Sequence, residues 1–376
     1  MLHHGGGLVR GMEVVFLQSA RTFAAAGYRV VVFRNNDCID HALETITPAP
    51  EIVTFRFPEL MIDGMRRTSL PIRSYITAHK RLKTLVRNHS TTLLYCSGGL
   101  PCQLGVPVAR QLGIPLVCHL HHPAMKRERY LWLAMFADEL IFPSAFTRRH
   151  TLANRHDRGR VIYNGIDLSK FHPTRGKEPH WRSDLGIPAN ATVIGQVAAL
   201  VKNKRPDFLI SVFNTLRNTT RAPLHLCLVG GGPMKERLLR QASELGIGQH
   251  VTLTGYVDDV LPYYQHVFDV NVLVSREEGL GISVIEGSAC GLPAVVTNCT
   301  GLTETVLENQ TGFLFDLNDD ESLQRQLLRL IDAPDLRASM GAAGAAFAAQ
   351  QFSSGSYDRN FMTAVTELLQ RTRRSA

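Results

Sequence analysis

The chain alternates repeatedly between short, continuous apolar runs and segments with the spacing of an amphipathic helix. Strands that are apolar throughout are buried on both faces, which is typical of a parallel sheet covered by helices. The sequence therefore predicts an α/β fold. In the first half of the chain the apolar runs are residues 28–33, 91–96, 115–121 and 139–144, and helical spacing is found over 72–88 and 126–137.

This alternation stops in a stretch rich in Gly, Pro and charge near residue 166, and then starts again. The second set of apolar runs is 192–198, 224–230, 250–255, 268–275, 293–298 and 311–316. With 376 residues the chain is long enough for two domains. We predict two doubly wound, Rossmann-like units facing a cleft, over residues 1–165 and 166–355, with a C-terminal helix over 356–376 that crosses back to the first unit.

A glycine-rich loop, residues 5–7, lies close to the start of the chain. Such a loop normally follows a strand, and only four residues precede it here. We therefore expect the first strand to be very short or truncated.

Composition and cysteine usage exclude several classes of protein. Apolar residues are 44% and charged residues 20% of the chain, and no run of 18 apolar residues exists that would span a membrane. The first residues lack the pattern of a signal peptide. The seven cysteines are scattered without a C-x-x-C pair, which favours reduced thiols in the cytoplasm over disulfides or a structural zinc site.

Charge is distributed unevenly along the chain. Residues 1–175 contain 23 Lys and Arg against 12 Asp and Glu, whereas the remainder contains 18 against 21. A basic half indicates phosphate-bearing partners, an anionic membrane surface or nucleic acid. No nucleic-acid-binding motif is present, so nucleic acid is not expected as a partner.

The stretch SREEGLGISVIEGSACGLPAVVT, residues 275–297, carries two glutamates eight positions apart. Its Gly-Leu-Gly turn, Gly279, Leu280 and Gly281, precedes a helix that we expect to begin near Ile282. The free amides and the positive dipole end of such a helix start bind phosphate or diphosphate. A carboxylate accepts two sugar hydroxyls, so Glu278 and Glu286 suit a hexose and a ribose. Taken singly, either glutamate also fits a solvated turn or a helix-dipole role.

Together with TGLTETV and TGFLF further on, this stretch closely resembles the donor-site block of glycosyltransferase family 4, with its E-x(7)-E motif. The resemblance extends to ADELIFPSAFTRR and VIYNGIDLSKFHP before and in the linker, and to LCLVGGGPMKERL and VTLTGYVDD in the second unit. It implies the GT-B fold and sugar transfer with retention of configuration.

The resemblance also implies roles for individual residues. Glu286 would bind the ribose, Glu278 the sugar hydroxyls, and Lys204 the departing phosphate, with the diphosphate over Gly279–Ile282. In the loop after VTLTG, Val257 would lie beside the base.

In the first unit, the resemblance assigns Gly6 and Gly7 to a loop over the donor phosphates and acceptor. The strand PLVCHLH places His121 at the reaction centre. Taken alone, a histidine at the end of a strand is more often an ordinary core or surface residue.

One position departs from the family pattern. The family usually has an arginine and a lysine that both grip the diphosphate, and here Ala199 stands at the arginine position while Lys204 matches the lysine. Either Lys202 or Arg205 substitutes for the arginine from a shifted position, or activity is weaker; we include Arg205 among the donor-binding candidates.

The predicted function is thus a retaining hexosyltransferase that moves a sugar from a nucleoside-diphosphate sugar to a glycan or lipid-linked acceptor in cell-surface polysaccharide or glycolipid synthesis. No metal or other cofactor is expected. The predicted location is cytoplasmic, with possible attachment of the basic half to the inner face of the membrane. The alternatives are a sugar-nucleotide epimerase or phosphorylase of the same fold, or a non-catalytic nucleotide-sugar-binding subunit.

Overall fold

The computed structural model describes residues 1–5, 11–58, 72–124, 128, 131–153, 158–174 and 176–375. The chain divides into two compact units, Met1–Gly165 with Ser354–Ala376, and Ile166–Ser353. Ser354 and Gly355 fall in the first unit, two residues before the boundary expected from the sequence, because the last helix begins at Ser354.

The first unit is built on a parallel sheet. Its described strands are β1 Leu2–His3, β2 Val31–Arg34, β3 Glu51–Thr54, β4 Leu94–Ser97, β5 Leu116–His119, β6 Glu139–Phe142 and β7 Arg160–Val161. They lie in the order β3-β2-β1-β4-β5-β6-β7. The described helices that accompany them are α1 Gly11–Ala25, α2 Asp40–Glu44, α3 Ile72–Asn88, α4 Cys102–Leu112 and α5 Ala145–Leu152.

Burial explains which strands the sequence revealed. Strands β4, β5 and β6 are buried along their whole length, and these match the apolar runs. Strand β3 lies at the sheet edge and is only partly buried, so it has no continuous apolar pattern and was not predicted. Strand β1 has two residues, Leu2 and His3.

The helical pattern expected over 126–137 is only partly realised. Several of its residues lie outside the described part of the chain. The described part breaks at Leu133, which has a φ of 59°, and continues as a 3-10 turn at Ala134–Phe136. A non-glycine residue in the left-handed region interrupts the hydrogen bonding of an α-helix.

The second unit is also a parallel, doubly wound sheet, with strand order β10-β9-β8-β11-β12-β13. Its strands are β8 Thr192–Val197, β9 Leu224–Val229, β10 Val251–Gly255, β11 Val270–Leu273, β12 Ala294–Thr297 and β13 Gly312–Phe315. Its described helices are α6 His180–Ser183, α7 Pro206–Thr219, α8 Lys235–Glu244, α9 Ile282–Ala289, α10 Asp320–Asp332 and α11 Pro334–Gln351. The predicted architecture is confirmed for both units.

The last helix, α12 (Ser354–Ser375), packs in the first unit. Its Tyr357, Phe361 and Leu368 are buried in one core cluster with residues of α1 and β4. Arg371 near its end donates to the buried carboxylate of Glu139 at 2.6 Å. None of the described helices combines the length and hydropathy needed to cross a membrane.

Candidate active site

The strand order of the second unit reverses between β8 and β11, which lie side by side. Ligands of open α/β sheets bind beyond the carboxyl ends of the strands at such a switch point. Lys204 follows β8, in the 3-10 turn Lys202–Lys204, and Glu278 follows β11. The fold therefore brings together two candidates that are 74 residues apart in the sequence.

Glu278 and Lys204 form an ion pair through Oε1 and Nζ. Their side chains are 13% and 22% exposed, so the pair is largely shielded from water. The Ser275 hydroxyl donates to the same Oε1 at 2.6 Å, and the amide of Glu278 donates to Oγ1 of Thr300 at 2.9 Å. Glu278 is thus held by both its carboxylate and its backbone.

Helix α9 begins at Ile282, as predicted, after Gly281 in the left-handed conformation with a φ of 99°. A Cβ on Gly281 would also lie 2.6 Å from Cδ2 of Leu302, so glycine is required here for two reasons. The amides of Val284 and Ile285 bond to the carbonyl of Gly281. The amides of Ile282 and Ser283 come before these and have no acceptor inside the helix, which suits an anion.

Glu286 lies one turn into α9 and is half-buried. Its Oε2 accepts from the hydroxyl of Tyr264 at 3.1 Å. Burial raises the pKa of Glu286 to about 7, and the hydrogen bond from Tyr264 and the nearby Lys170 only partly offset this. The protonated carboxyl group therefore persists to a higher pH in the folded protein than in water.

The base-side candidates lie on neighbouring loops. Gly230 follows β9 with a φ of 141°, and a Cβ there would approach the carbonyl oxygen of Ala198 to 2.1 Å. Gly231 comes close to the backbone of Tyr256, a residue that is 55% exposed. Val257 is the next residue and is half-buried.

Arg205 is placed differently from the other candidates. Its guanidinium stacks over the ring of Phe208 at 3.9 Å and donates to Asn318 at 3.0 Å. Its φ of 51° is compatible with the position just before α7. The structure does not bring the Arg205 guanidinium into the cluster of Lys204 and Glu278, and Ala199 supplies no charge at the expected arginine position.

In the first unit, His121 follows β5, beside the switch point between β1 and β4. Its Nε2 lies 2.9 Å from Oγ of Ser97, the last residue of β4. Burial is the main cause that lowers the pKa of His121 well below its usual value, with a smaller effect from His119, so the ring is neutral. Gly6 and Gly7 lie outside the described residues.

The described residues contain no group of three or more His, Cys, Asp or Glu side chains arranged to hold a metal ion. Several supporting residues escaped the sequence reasoning, among them Tyr264, Ser275 and Thr300. They belong to common polar residue types without a recognisable spacing, and they reach the candidates through folding alone. Ser275 is the partial exception, since it ends an apolar run three residues before Glu278.

Comparison with known proteins identifies the class to which this fold and site belong. Residues 9–170 match the family model described as Glycosyltransferase Family 4, and residues 177–347 match that of Glycosyl transferases group 1. The chain is a member of glycosyltransferase family 4 and is a glycosyltransferase. The resemblance noted in the sequence is thereby confirmed.

Two curated relatives and one solved structure illustrate the range of similar proteins. The chain is 31% identical over 288 residues to the GDP-mannose-dependent alpha-(1-6)-phosphatidylinositol monomannoside mannosyltransferase of Mycolicibacterium smegmatis, covering 71% of this chain and 74% of that protein. It is 28% identical to the UDP-Gal:alpha-D-GlcNAc-diphosphoundecaprenol alpha-1,3-galactosyltransferase of Escherichia coli, with 69% and 70% covered. HepE of Anabaena, solved with UDP and glucose, superimposes with a TM-score of 0.83 at 20% identity, covering 97% and 98%. That likeness confirms the GT-B fold.

Proposed function

We propose that this glycosyltransferase moves a sugar, with retention of configuration, from a nucleoside-diphosphate sugar to a glycan or lipid-linked acceptor. The observation that carries the proposal is the Lys204–Glu278 pair at the switch point of the second unit, directly before the amide-rich start of α9. The mannosyltransferase and galactosyltransferase above are named for nucleotide-sugar donors and lipid-linked acceptors, which supports the same substrate classes here. The names cite GDP and UDP, so either base is compatible.

In this proposal the diphosphate lies over residues 279–282 and meets the Lys204 ammonium. Lys204 is paired with Glu278 in the donor-free protein. An arriving diphosphate offers Lys204 a stronger partner and frees oxygens of Glu278 to accept sugar hydroxyls. Glu286 accepts the two ribose hydroxyls, and Val257 lies along the base.

We assign the remaining candidates by the family resemblance. His121 contacts the transferred sugar near the reacting carbon, and Gly6 and Gly7 cover the phosphates. Arg205 stays a donor-binding candidate: its guanidinium contacts Phe208 and Asn318 in the donor-free protein, while its Nη1 is buried with no hydrogen-bond partner among the described residues.

The transfer that this site would perform is a front-face substitution. The bond between the anomeric carbon and the phosphate oxygen breaks, and the acceptor oxygen forms a bond to that carbon on the same face. The acceptor hydroxyl proton passes to an oxygen of the leaving diphosphate. The negative charge that develops on the diphosphate is stabilised by Lys204 and the start of α9, so we propose that no divalent metal is required.

We further propose that the protein works in the cytoplasm, against the inner face of the cytoplasmic membrane, through the basic first half of the chain. Helix α3 supports this idea. Its exposed residues include two isoleucines, Ile72 and Ile76, together with Arg73, Lys80 and Arg87. Apolar side chains flanked by basic ones suit an anionic lipid surface.

A panel of nucleotide sugars tests the proposal, because only the true donor stabilises the protein by mass action. With that donor, Glu286→Ala should weaken binding about tenfold to a hundredfold, the equivalent of one or two hydrogen bonds to a charged group. Glu278→Ala should chiefly lower kcat, by about a hundredfold, because its contacts strengthen in the transition state. Glu277→Ala is the matched control, since Glu277 is an exposed neighbour of Glu278.

Release of nucleoside diphosphate is measured with and without acceptor, and with EDTA. Acceptor-dependent release that persists in EDTA supports a metal-independent transferase. Loss of activity in EDTA that Mg²⁺ or Mn²⁺ restores contradicts metal independence. Donor binding without release for any acceptor would favour a binding subunit, and wild-type rates for both glutamate variants would overturn the site.

A further inference from the structure

A buried chain of hydrogen bonds runs from α12 through α1 to the end of β5, next to His121. The Ser19 hydroxyl oxygen lies 2.9 Å from the carbonyl oxygen of Val15, 3.0 Å from the Tyr95 hydroxyl and 2.7 Å from the Tyr357 hydroxyl. The Tyr95 hydroxyl lies 2.9 Å from Nδ1 of His119. Ser19, Tyr95, His119 and Tyr357 are all buried, so water does not compete for these contacts.

One arrangement of protons satisfies all four contacts. The Val15 carbonyl can only accept, so the Ser19 hydroxyl donates its single proton to that oxygen. The Ser19 oxygen then accepts from both tyrosines, and each tyrosine hydroxyl uses its only proton in this hydrogen bond. With its proton used, the Tyr95 oxygen can only accept from His119, and Nδ1 of His119 must carry a hydrogen.

The His119 ring is neutral in this arrangement. Burial lowers the pKa of His119 to about 3. A neutral imidazole carries one hydrogen, and since Nδ1 holds it, Nε2 has a bare lone pair. Nε2 is buried and has no hydrogen-bond partner among the described residues.

His119 in turn contacts His121. The two ring centroids are 4.7 Å apart and the planes are inclined by 38°. His121 also forms a hydrogen bond through Nε2 with the hydroxyl of Ser97. One hydrogen bond and one ring contact therefore help to orient His121, and the ring contact depends on where His119 is held.

We propose that Ser19 and Tyr95 hold His119 in its Nδ1–H tautomer, and that His119 in this form is a positioning residue for His121. The C-terminal helix contributes packing to this cluster, since the ring of Tyr357 stacks with that of His119 with the centroids 6.3 Å apart. The inference rests on the proposed role of His121. The physical reason for a positioning residue is that a side chain at a reaction centre, here His121, must be held to within a fraction of an ångström. Packed neighbours with satisfied hydrogen bonds achieve this.

The tautomer is measured directly, without reference to activity. Protein labelled with ¹⁵N-histidine gives separate nitrogen signals for protonated and bare ring nitrogens, and His119→Asn identifies the signals of His119. We expect a protonated Nδ1 and a bare Nε2 in the wild type. Ser19→Ala frees the Tyr95 proton to reach Nδ1, so His119 should change to the Nε2–H form. Tyr357→Phe leaves the Tyr95–Ser19 bond in place and should keep the wild-type tautomer.

Kinetics then test whether the tautomer matters for the reaction. Ser19→Ala and Tyr95→Phe should lower kcat at least about tenfold, with little change in the KM for donor, because His121 is displaced while the donor-binding unit is intact. Tyr28→Phe is the matched control: its ring packs on Phe23 in the same unit, and its hydroxyl has no hydrogen bond within the described ranges.

The outcomes separate the proposed positioning role of His119 from the proposed role of His121 at the reaction centre. An Nε2–H tautomer in the wild type overturns the assignment of protons. The expected tautomer combined with wild-type kcat in both Ser19→Ala and Tyr95→Phe overturns the positioning role. Wild-type kcat in His121→Ala contradicts the proposed role of His121, whatever tautomer His119 has.

Discussion

Glu286 combines two demands that conflict physically. A carboxyl group accepts two ribose hydroxyls best when it is ionised, yet burial in α9 raises the pKa of Glu286 to about 7. The folded pKa is above the ordinary value of 4.5, so the folded protein favours the protonated form. The unfavourable burial of charge is complete above pH 7 and is relieved as pH falls toward 4.5, so this group makes folding more favourable on acidification.

Donor binding should show the opposite dependence on pH. Hydroxyl donors stabilise the carboxylate, so binding should lower the pKa of Glu286 and release a proton near neutral pH. We expect the donor Kd to rise as pH falls from 8 to 6. Titration calorimetry in buffers of different ionisation enthalpy measures both effects.

Glu286→Gln is the control for this prediction. The amide has the same shape and does not titrate, so proton release and the pH dependence of Kd should both be lost. An unchanged pH dependence in Glu286→Gln would assign the titration to another group.

At the level of single residues, the sequence pointed to site candidates where a fixed spacing between residues formed a recognisable motif. The E-x(7)-E motif singled out Glu278 and Glu286, and the structure places Glu278 in the turn before α9 and Glu286 one turn into that helix. For Arg205 the spacing left the contacts of the side chain open, because position in the sequence does not reveal which way a side chain turns. Its guanidinium lies on Phe208, which follows it by three residues.

At the scale of elements, the site depends on a close approach between two loops. The amide of Gly301 donates to the carbonyl of Glu278 at 3.1 Å. A Cβ on Gly301 would lie 2.1 Å from the carbonyl oxygen of Gly279, a backbone atom that cannot move aside alone. The 3-10 helix Thr300–Glu304 therefore holds the turn that leads into α9.

Gly301→Ala should displace this turn. We expect a loss of about 1–3 kcal/mol in the free energy of unfolding, as for overpacking. Because the displaced turn leads into the proposed diphosphate site, we expect the donor Kd to rise as well. Gly248→Ala is the matched control, since a Cβ there meets nothing within 4 Å, and it should change stability by less than about 0.5 kcal/mol. Denaturant unfolding and donor titration measure the two effects; equal behaviour of the two variants would contradict this account.

At the scale of the whole molecule, basic charge belongs mainly to the first half of the chain. Arg66 and Arg67, which precede α3 in the sequence, lie outside the described residues. Within α3, Arg81 contacts the carbonyl of Thr54 and Lys83 bonds to Gln111, so both have partners in the protein. Arg73, Lys80 and Arg87 are exposed and suit a lipid surface better.

We expect the protein to sediment with anionic liposomes at low salt and to be released at high salt. Each basic residue near the surface contributes on the order of 1 kcal/mol, so replacing Arg73, Lys80 and Arg87 by Ala should weaken partitioning roughly a hundredfold. Replacement of Arg237 and Arg240 in α8 of the second unit is the control and should have little effect. If the wild type stays in the supernatant at low salt, the membrane proposal is wrong.

By itself, the sequence determined the doubly wound architecture and the start of α9. Both depend on local signals: a strand buried on two faces is apolar throughout, and a turn that needs a positive φ takes glycine, as at Gly281. The order of the motifs along the chain also indicated glycosyltransferase family 4. Edge strand β3 was missed because its partial burial leaves no such pattern.

Only the tertiary structure decided how distant residues combine. Ser19 bonds to Tyr357 across 338 positions, and Lys204 meets Glu278 across 74. It also decided the ionisation state of Glu286 and His119, because burial sets these pKa values and burial belongs to the folded chain. Periodicity in a sequence reports which face of an element is buried, and it contains no information about which side chain from elsewhere will lie against it.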